Sequence, residues 1–248
     1  MAGSSSIEWT NATWNPVTGC DKVSQGCKHC YAERMAKRLH AMGNPRYANG
    51  FQLTMHDDLV TLPLRWREPK RIFVNSMSDL FHEDVPLDFI QRCFATMRAA
   101  PRHVFQILTK RAQRLEELAP SLDWAPNVWM GVSVERQDVA WRVDHLRRVP
   151  AAVRFLSCEP LIGPLEPDLA GIHWVIAGGE SGPGARPMDQ EWARALRRQC
   201  EFAEVAFFLK QLGGAIDKRG HEKALLDGQL WHAMPEISRP QLSPVRSG

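Results

Sequence analysis

From residue 71 onward the chain repeats one theme: a short β-branched or aromatic run, a polar or glycine cluster, then a longer segment with helical periodicity. The runs are RIFVN (71–75), HVFQIL (103–108), NVWMGV (127–132), VRFLS (153–157), HWVIA (173–177) and VAFFL (205–209), and residues 86–100, 110–119, 135–148 and 189–202 read as helices between them. Strands alternating with helices pair in parallel through crossovers, and runs this continuously apolar suit strands covered on both faces. The fold class is therefore α/β, either a β/α barrel or a doubly wound open sheet.

The polar residues after each run are the second constraint. They are Asn75-Ser76-Met77-Ser78-Asp79, Thr109-Lys110-Arg111, Ser133-Val134-Glu135, Cys158-Glu159-Pro160, Gly178-Gly179-Glu180-Ser181-Gly182 and Lys210-Gln211-Leu212-Gly213. Both fold types build their sites from the carboxyl ends of the strands, so these residues are gathered at one end of the sheet. The plain alternative is that strands simply end in polar loops.

A chain of 248 residues, 44% hydrophobic, can bury a real core without covalent staples. No stretch approaches the roughly 18 apolar residues of a membrane span, and MAGSSSIEWT has no basic-then-apolar leader pattern. The expectation is a soluble cytoplasmic protein, and in that compartment clustered cysteines point to metal or redox chemistry rather than disulfides. A net charge of +3 demands no polyanion, although Lys70-Arg71, Lys110–Arg114 and Arg194–Arg198 permit nucleic-acid contact. Most of the nine tryptophans, Trp9, Trp14 and Trp129 among them, are expected in the core.

Three of the six cysteines fall in TGCDKVSQGCKHCYAE, as Cys20, Cys27 and Cys30 in a C-x6-C-x2-C spacing; Cys93, Cys158 and Cys200 are scattered and read as inert core residues. A structural zinc site needs a fourth ligand, which His29, His40 or a distant residue would have to supply. Free thiols, one of them a redox nucleophile, are a second reading. The third is a [4Fe-4S] cluster whose three thiolates leave one iron open to an exogenous ligand. Gly19 and Gly26 allow the tight turns such a cluster needs, Lys22 and Lys28 suit its negative charge, and a helix begins just after Cys30.

A three-cysteine loop followed by a helix and repeated βα units resembles the radical S-adenosylmethionine superfamily, whose common spacing is C-x3-C-x2-C with an aromatic before the last cysteine. Here the first gap is longer, and the aromatic, Tyr31, follows Cys30. More closely, TGCDKVSQGCKHCYAE, FVNSMSDLFHEDVP, ILTKR, GVSVE, SCEPLIGPL, AGGESGPGARPM, FFLKQLGG and LLDGQLWHAMP, in that order over residues 6–236, resemble bacterial and bacteriophage proteins described only as phage proteins with a three-cysteine motif. The resemblance implies a partial (β/α) barrel of about six βα units over residues 1–236 as a single domain, with the iron-sulfur loop at 18–31; residues 237–248 read as a disordered tail. It implies that Cys20, Cys27 and Cys30 hold a [4Fe-4S] cluster and that S-adenosyl-L-methionine binds its open iron and is cleaved to a 5′-deoxyadenosyl radical. Asn75, Ser76, Ser78 and Asp79 then stand where the methionyl amine is contacted. Gly178, Gly179 and Glu180 superficially resemble the superfamily's Gly-Gly-Glu on a later strand and are assigned to ribose, adenine or substrate. Lys110, Glu135 and Glu159 are the candidate catalytic residues, with barrel-mouth ion pairs as the alternative for each. A reductase or a flavodoxin- or ferredoxin-like protein would donate electrons, and the substrate class suggested is a nucleic-acid base or nucleoside.

Two other patterns are weaker. The Gly178–Gly184 segment has neither the phosphate-loop nor the dinucleotide spacing, and His82-Glu83-Asp84 mimics a metal cluster but is explained by a helix start at Pro86. A zinc-stabilised nucleic-acid-binding protein without catalysis, and a barrel hydrolase with Glu135 and Glu159 as its acid/base pair, are the competing functional readings.

Overall fold

In the computed structural model, which describes residues 3–5 and 7–236, seven parallel strands follow one another in chain order. They are β1 (Ala12–Trp14), β2 (Arg71–Val74), β3 (Val104–Thr109), β4 (Val128–Ser133), β5 (Val153–Cys158), β6 (Trp174–Gly178) and β7 (Ala206–Gln211). Each pairs in parallel with the next, and Gly3–Ser4 adds a short antiparallel edge beside β1. The sheet curls into a half-barrel, so the expected partial barrel is what forms. Its leading strand, β1, is the unit the apolar pattern missed, because ATW is too short to show a period.

The helices are α1 (Tyr31–Ala41), α2 (Leu87–Ala99), α3 (Ala112–Leu118), α4 (Arg142–Arg147) and α5 (Gln190–Phe202). The helix expected over 135–148 is shorter: a 3-10 turn at Gln137–Val139 precedes α4, and Glu135 is buried against Arg142 of α4. Residues 159–173, between β5 and β6, carry no helix.

Strand side chains alternate between two faces, and the two faces bury different things. Outward residues such as Ile72, Ile107, Met130, Leu156 and Val175 form the large core under the helices with Phe94, Leu115, Leu146 and Leu196. Inward residues build a smaller aromatic plug of Trp9, Trp129, Phe155, Trp174, Ile176 and Phe208, with Phe73 and Leu108 packed against it. A Cβ on Gly131 would lie 2.4 Å from the Phe155 ring, so this inward position must be glycine for the plug to close. Continuing the same alternation toward the strand ends brings Asn75, Lys110, Ser133, Ser157 and Lys210 above the plug. The expected core residues Cys93, Cys158 and Cys200, and Trp9, Trp14 and Trp129, are all buried. Among the described residues no helix is long and apolar enough to cross a membrane. The expected disordered tail, 237–248, lies outside the described residues.

Candidate functional site

Above the aromatic plug, at the carboxyl ends of the strands, lies a chamber of about 290 Å³. Trp9, Phe73 and Leu108 line its apolar part, and Asn75, Lys110, Ser133, Ser157, Glu159 and Lys210 its polar part. The segment between β1 and α1 folds over it. Gly19 bridges to Ser78 beyond β2, its N–H donates to the Met77 carbonyl, and its φ of +84° with Gln52 O only 2.1 Å from a built Cβ leaves no room for a side chain.

Cys20, Cys27 and Cys30 are all unpaired, partly exposed and on the chamber wall. Cys27 ends a 3-10 turn over Gln25–Cys27, and Cys30 caps α1. Burial and the Asp79 carboxylate push the Cys20 thiol up to about 11, against the pull of Arg111, whose Nη1 lies 3.5 Å from Sγ. Among the described residues no three His, Cys, Asp or Glu side chains are grouped to hold a single metal ion. A mononuclear zinc site would draw its sulfurs to about 4 Å from one another, given Zn–S bonds near 2.3 Å. Three thiols lining one chamber are also a donor set for a polynuclear cluster, in which each binds a different iron.

The four candidates after β2 divide. Asn75 is 3% exposed, has φ +58°, lines the chamber, and neither its Oδ1 nor its Nδ2 has a protein hydrogen-bond partner. Orphaned buried amides are rare, and this one is held in a strained conformation beside a cavity, which fits a polar ligand. The other three brace the cysteine loop and its surroundings. Ser76 Oγ donates to Asn15 Oδ1 (3.2 Å) and Ser78 Oγ to the Val17 carbonyl (2.7 Å). Asp79 accepts from Thr109 Oγ1 (2.7 Å), Phe81 N (3.0 Å), Lys110 N (3.0 Å) and Arg111 Nη1 (3.2 Å), so its oxygens are already committed to the protein.

The three candidate catalytic residues all make ion pairs. Glu135 is 1% exposed and does not line the chamber; Arg142 Nη1 lies at 2.9 Å, Lys110 Nζ at 3.6 Å, and Ser24 Oγ of the cysteine loop donates to it at 2.6 Å. Burial alone would raise this carboxyl, but Lys110, Arg142 and the Ser24 hydroxyl outweigh it and hold it below its ordinary value. Glu159 does line the chamber, with Lys210 Nζ 3.0 Å from Oε1 and Ser157 Oγ donating to Oε2 at 3.3 Å. Glu135 is thus buried and off the chamber wall, whereas Glu159 is on it.

Gly178 and Gly179 act through their small size. A Cβ on Gly178 would lie 2.8 Å from Glu159 Oε1, and one on Gly179 would lie 2.2 Å from the Leu212 carbonyl oxygen. Glu180 accepts from Arg186 N (2.9 Å), Nε (3.0 Å) and Nη2 (2.6 Å), and Arg186 Nη2 also donates to the Gln25 carbonyl (3.0 Å). Burial would raise the Glu180 carboxyl, yet these bonds hold it below its ordinary value. Glu135 through Ser24 and Glu180 through Arg186 and Gln25 thus each hold the loop that carries Cys27.

His82 is structural: Nδ1 accepts from Asp84 N (3.2 Å), so Nε2 carries the proton and donates to Asp21 Oδ2 at 3.1 Å. Lys22 pairs with Glu33 of α1 at 3.0 Å rather than with the chamber. Residue reasoning left Ser24, Arg111, Arg186, Ser133, Ser157 and Lys210 without roles. For the last three, the period-two alternation continued past each apolar run was the available signal.

The half-barrel is shared with solved structures of spore photoproduct lyase. A cysteine-to-serine mutant superposes with a TM-score of 0.52 at 15% identity, covering 86% of this chain and 59% of that one. A mutant with bound AdoMet and dinucleoside spore photoproduct gives 0.50 at 14% identity, with the same coverage. The chain thus spans about 59% of the length of these neighbours, and the likeness concerns the fold. No curated protein sequence matches the chain. The sequence profile of a family described as "protein of unknown function", DUF5131, matches residues 4–235, nearly the whole chain, and the protein belongs to that family.

Proposed function

We propose that the chain is a radical S-adenosylmethionine enzyme in which Cys20, Cys27 and Cys30 would hold a [4Fe-4S] cluster. The observation that carries this reading is the convergence of three unpaired thiols and the orphaned Asn75 amide on one chamber at the carboxyl ends of a parallel half-barrel. The fold shared with spore photoproduct lyase, one structure of which holds AdoMet and a dinucleoside spore photoproduct, supports both the cofactor and a nucleic-acid base or nucleoside as substrate. The motif likeness to three-cysteine phage proteins belongs to the same reading.

When bound and reduced, such a cluster supplies one electron to the sulfonium of S-adenosylmethionine, giving methionine and a 5′-deoxyadenosyl radical that takes hydrogen from a substrate. The chain's own residues bind and enclose. Asn75 and Ser133, whose buried polar atoms have no protein partner, would hydrogen-bond the cofactor. Lys110, Lys210 and Glu159 at the rim would orient its charged groups or the substrate, and Trp9, Phe73 and Leu108 keep water from the chamber floor. A reductase or a flavodoxin- or ferredoxin-like protein would provide electrons, in the cytoplasm, where thiols stay reduced.

The test is anaerobic reconstitution followed by dithionite and S-adenosylmethionine. A brown protein with about four irons per chain that forms 5′-deoxyadenosine is expected. A full iron complement with no deoxyadenosine, or a colourless protein with one zinc, would refute the reading.

A further inference from the structure

The chamber is not closed at its α1 side. A second cavity of about 370 Å³ continues from it, and Tyr31, Arg34 and Ser181 line both. One wall is a single face of α1: Tyr31, Arg34, Met35 and Arg38 recur at i, i+3, i+4 and i+7. The opposite wall comes from the loops after β6 and β7, with Gly182, Ile216 and Lys218. Tyr31 is 58% exposed and Ile216 fully so, large apolar surfaces left at the groove's edge.

The charge here has one sign. Arg34, Arg38 and Lys218 line the groove, and no carboxylate does. Lys218 is partly neutralised by Glu8 at 3.2 Å. Arg34 is fixed but unneutralised: Nη2 donates to the Ser181 carbonyl at 2.7 Å, Nη1 is buried without a hydrogen-bond partner, and the guanidinium lies against Gly182, where a Cβ would sit 2.4 Å from Nη1. Arg38 is exposed, and no described residue pairs with it. A fixed guanidinium, a free one a helical turn away and an exposed aromatic ring at the chamber entrance are what a single nucleic-acid strand requires: cations along its phosphates and a flat surface for a base.

We propose that this groove binds the phosphodiester backbone of a single nucleic-acid strand, with Arg34 and Arg38 on its phosphates and Tyr31 against a base, and so feeds one nucleotide of the strand into the chamber. The proposal rests on the chamber being the reaction site and narrows its substrate from a free nucleoside to a polymer.

The experiment is fluorescence anisotropy of labelled oligothymidylate and oligouridylate on the full chain across a salt series. Binding of either strand that weakens with salt is expected. Arg34→Ala with Arg38→Ala should flatten the log–log salt slope by about 1.4, at roughly 0.7 per phosphate neutralised on a single strand. Arg38→Glu, at an exposed unpaired position that does not risk the fold, should weaken low-salt binding several-fold. Unchanged affinity and slope in these variants, no strand binding by the parent at low salt, or displacement by thymidine monophosphate at concentrations equal to the strand's would each overturn the proposal. Deoxyadenosine formation is read separately. Its survival with no strand binding refutes the groove alone, and strand binding without it refutes the radical reading alone.

Discussion

Replacing Glu135 by glutamine tests whether this carboxylate holds the structure or handles substrate. The side chain is 1% exposed, between Arg142 at 2.9 Å and Lys110 at 3.6 Å, with Ser24 Oγ at 2.6 Å. Glutamine keeps the shape but removes the charge, leaving the buried Arg142 guanidinium uncompensated. Breaking a buried pair in this way costs about 3–5 kcal/mol, which for a chain of this size lowers the melting temperature by roughly 10 °C. The pH dependence supplies the sign. The folded value of Glu135 lies below its ordinary 4.5, so its stabilisation is full above that pH and is lost as pH falls through the lower folded value. Glu135→Gln lacks this limb, and the stability gap between the two proteins, measured by urea unfolding, should narrow on acidification below 4.5. Ser24→Ala removes only the loop's donor. It should cost about 1.5 kcal/mol while lowering the iron retained after reconstitution. A Glu135→Gln protein that melts with the parent, or a gap that stays constant into acid, would refute this reasoning.

Three further outcomes follow from the same geometry. Gly26→Ala places a Cβ 2.2 Å from Glu135 Oε1; a loss of about 1–3 kcal/mol in urea unfolding, with reduced iron uptake, is expected. Asn75→Gly relieves the φ of +58° and removes an unpaired buried amide, so the free energy of urea unfolding should hold or rise by about 1 kcal/mol. S-adenosylmethionine binding to the reconstituted protein, by calorimetry, should weaken at least about tenfold, the worth of one lost hydrogen bond; parental affinity would remove Asn75 from the cofactor site. Arg111→Met leaves Asp79 without its buried cation at 3.2 Å, and a drop of about 3–5 kcal/mol in denaturant stability is expected; a change under about 1 kcal/mol would show that the other three donors to Asp79 suffice.

Local pattern was enough to read six of the seven parallel strands, the helix after Cys30 and the polar strand ends, because apolar periodicity and turn residues are short-range signals. The three cysteines were legible for the same reason, lying within eleven residues of one another in the chain. The strand β1 was not, since three residues hold too little pattern and its parallel pairing with β2 joins positions some sixty residues apart.

The division of labour among the polar residues was decided by distance in space. Glu135, Glu159 and Glu180 look equivalent at strand ends, yet folding places one against Arg142 and Ser24, one against Lys210 on the chamber wall, and one against Arg186. Asn75 and Asp79 are four residues apart, and only Asn75 is left without partners while Asp79 accepts from four donors. Composition and spacing specify which groups are present and at which end of the sheet they gather. Whether a buried polar group is satisfied depends on partners brought from distant elements, and that is a property of the packed chain.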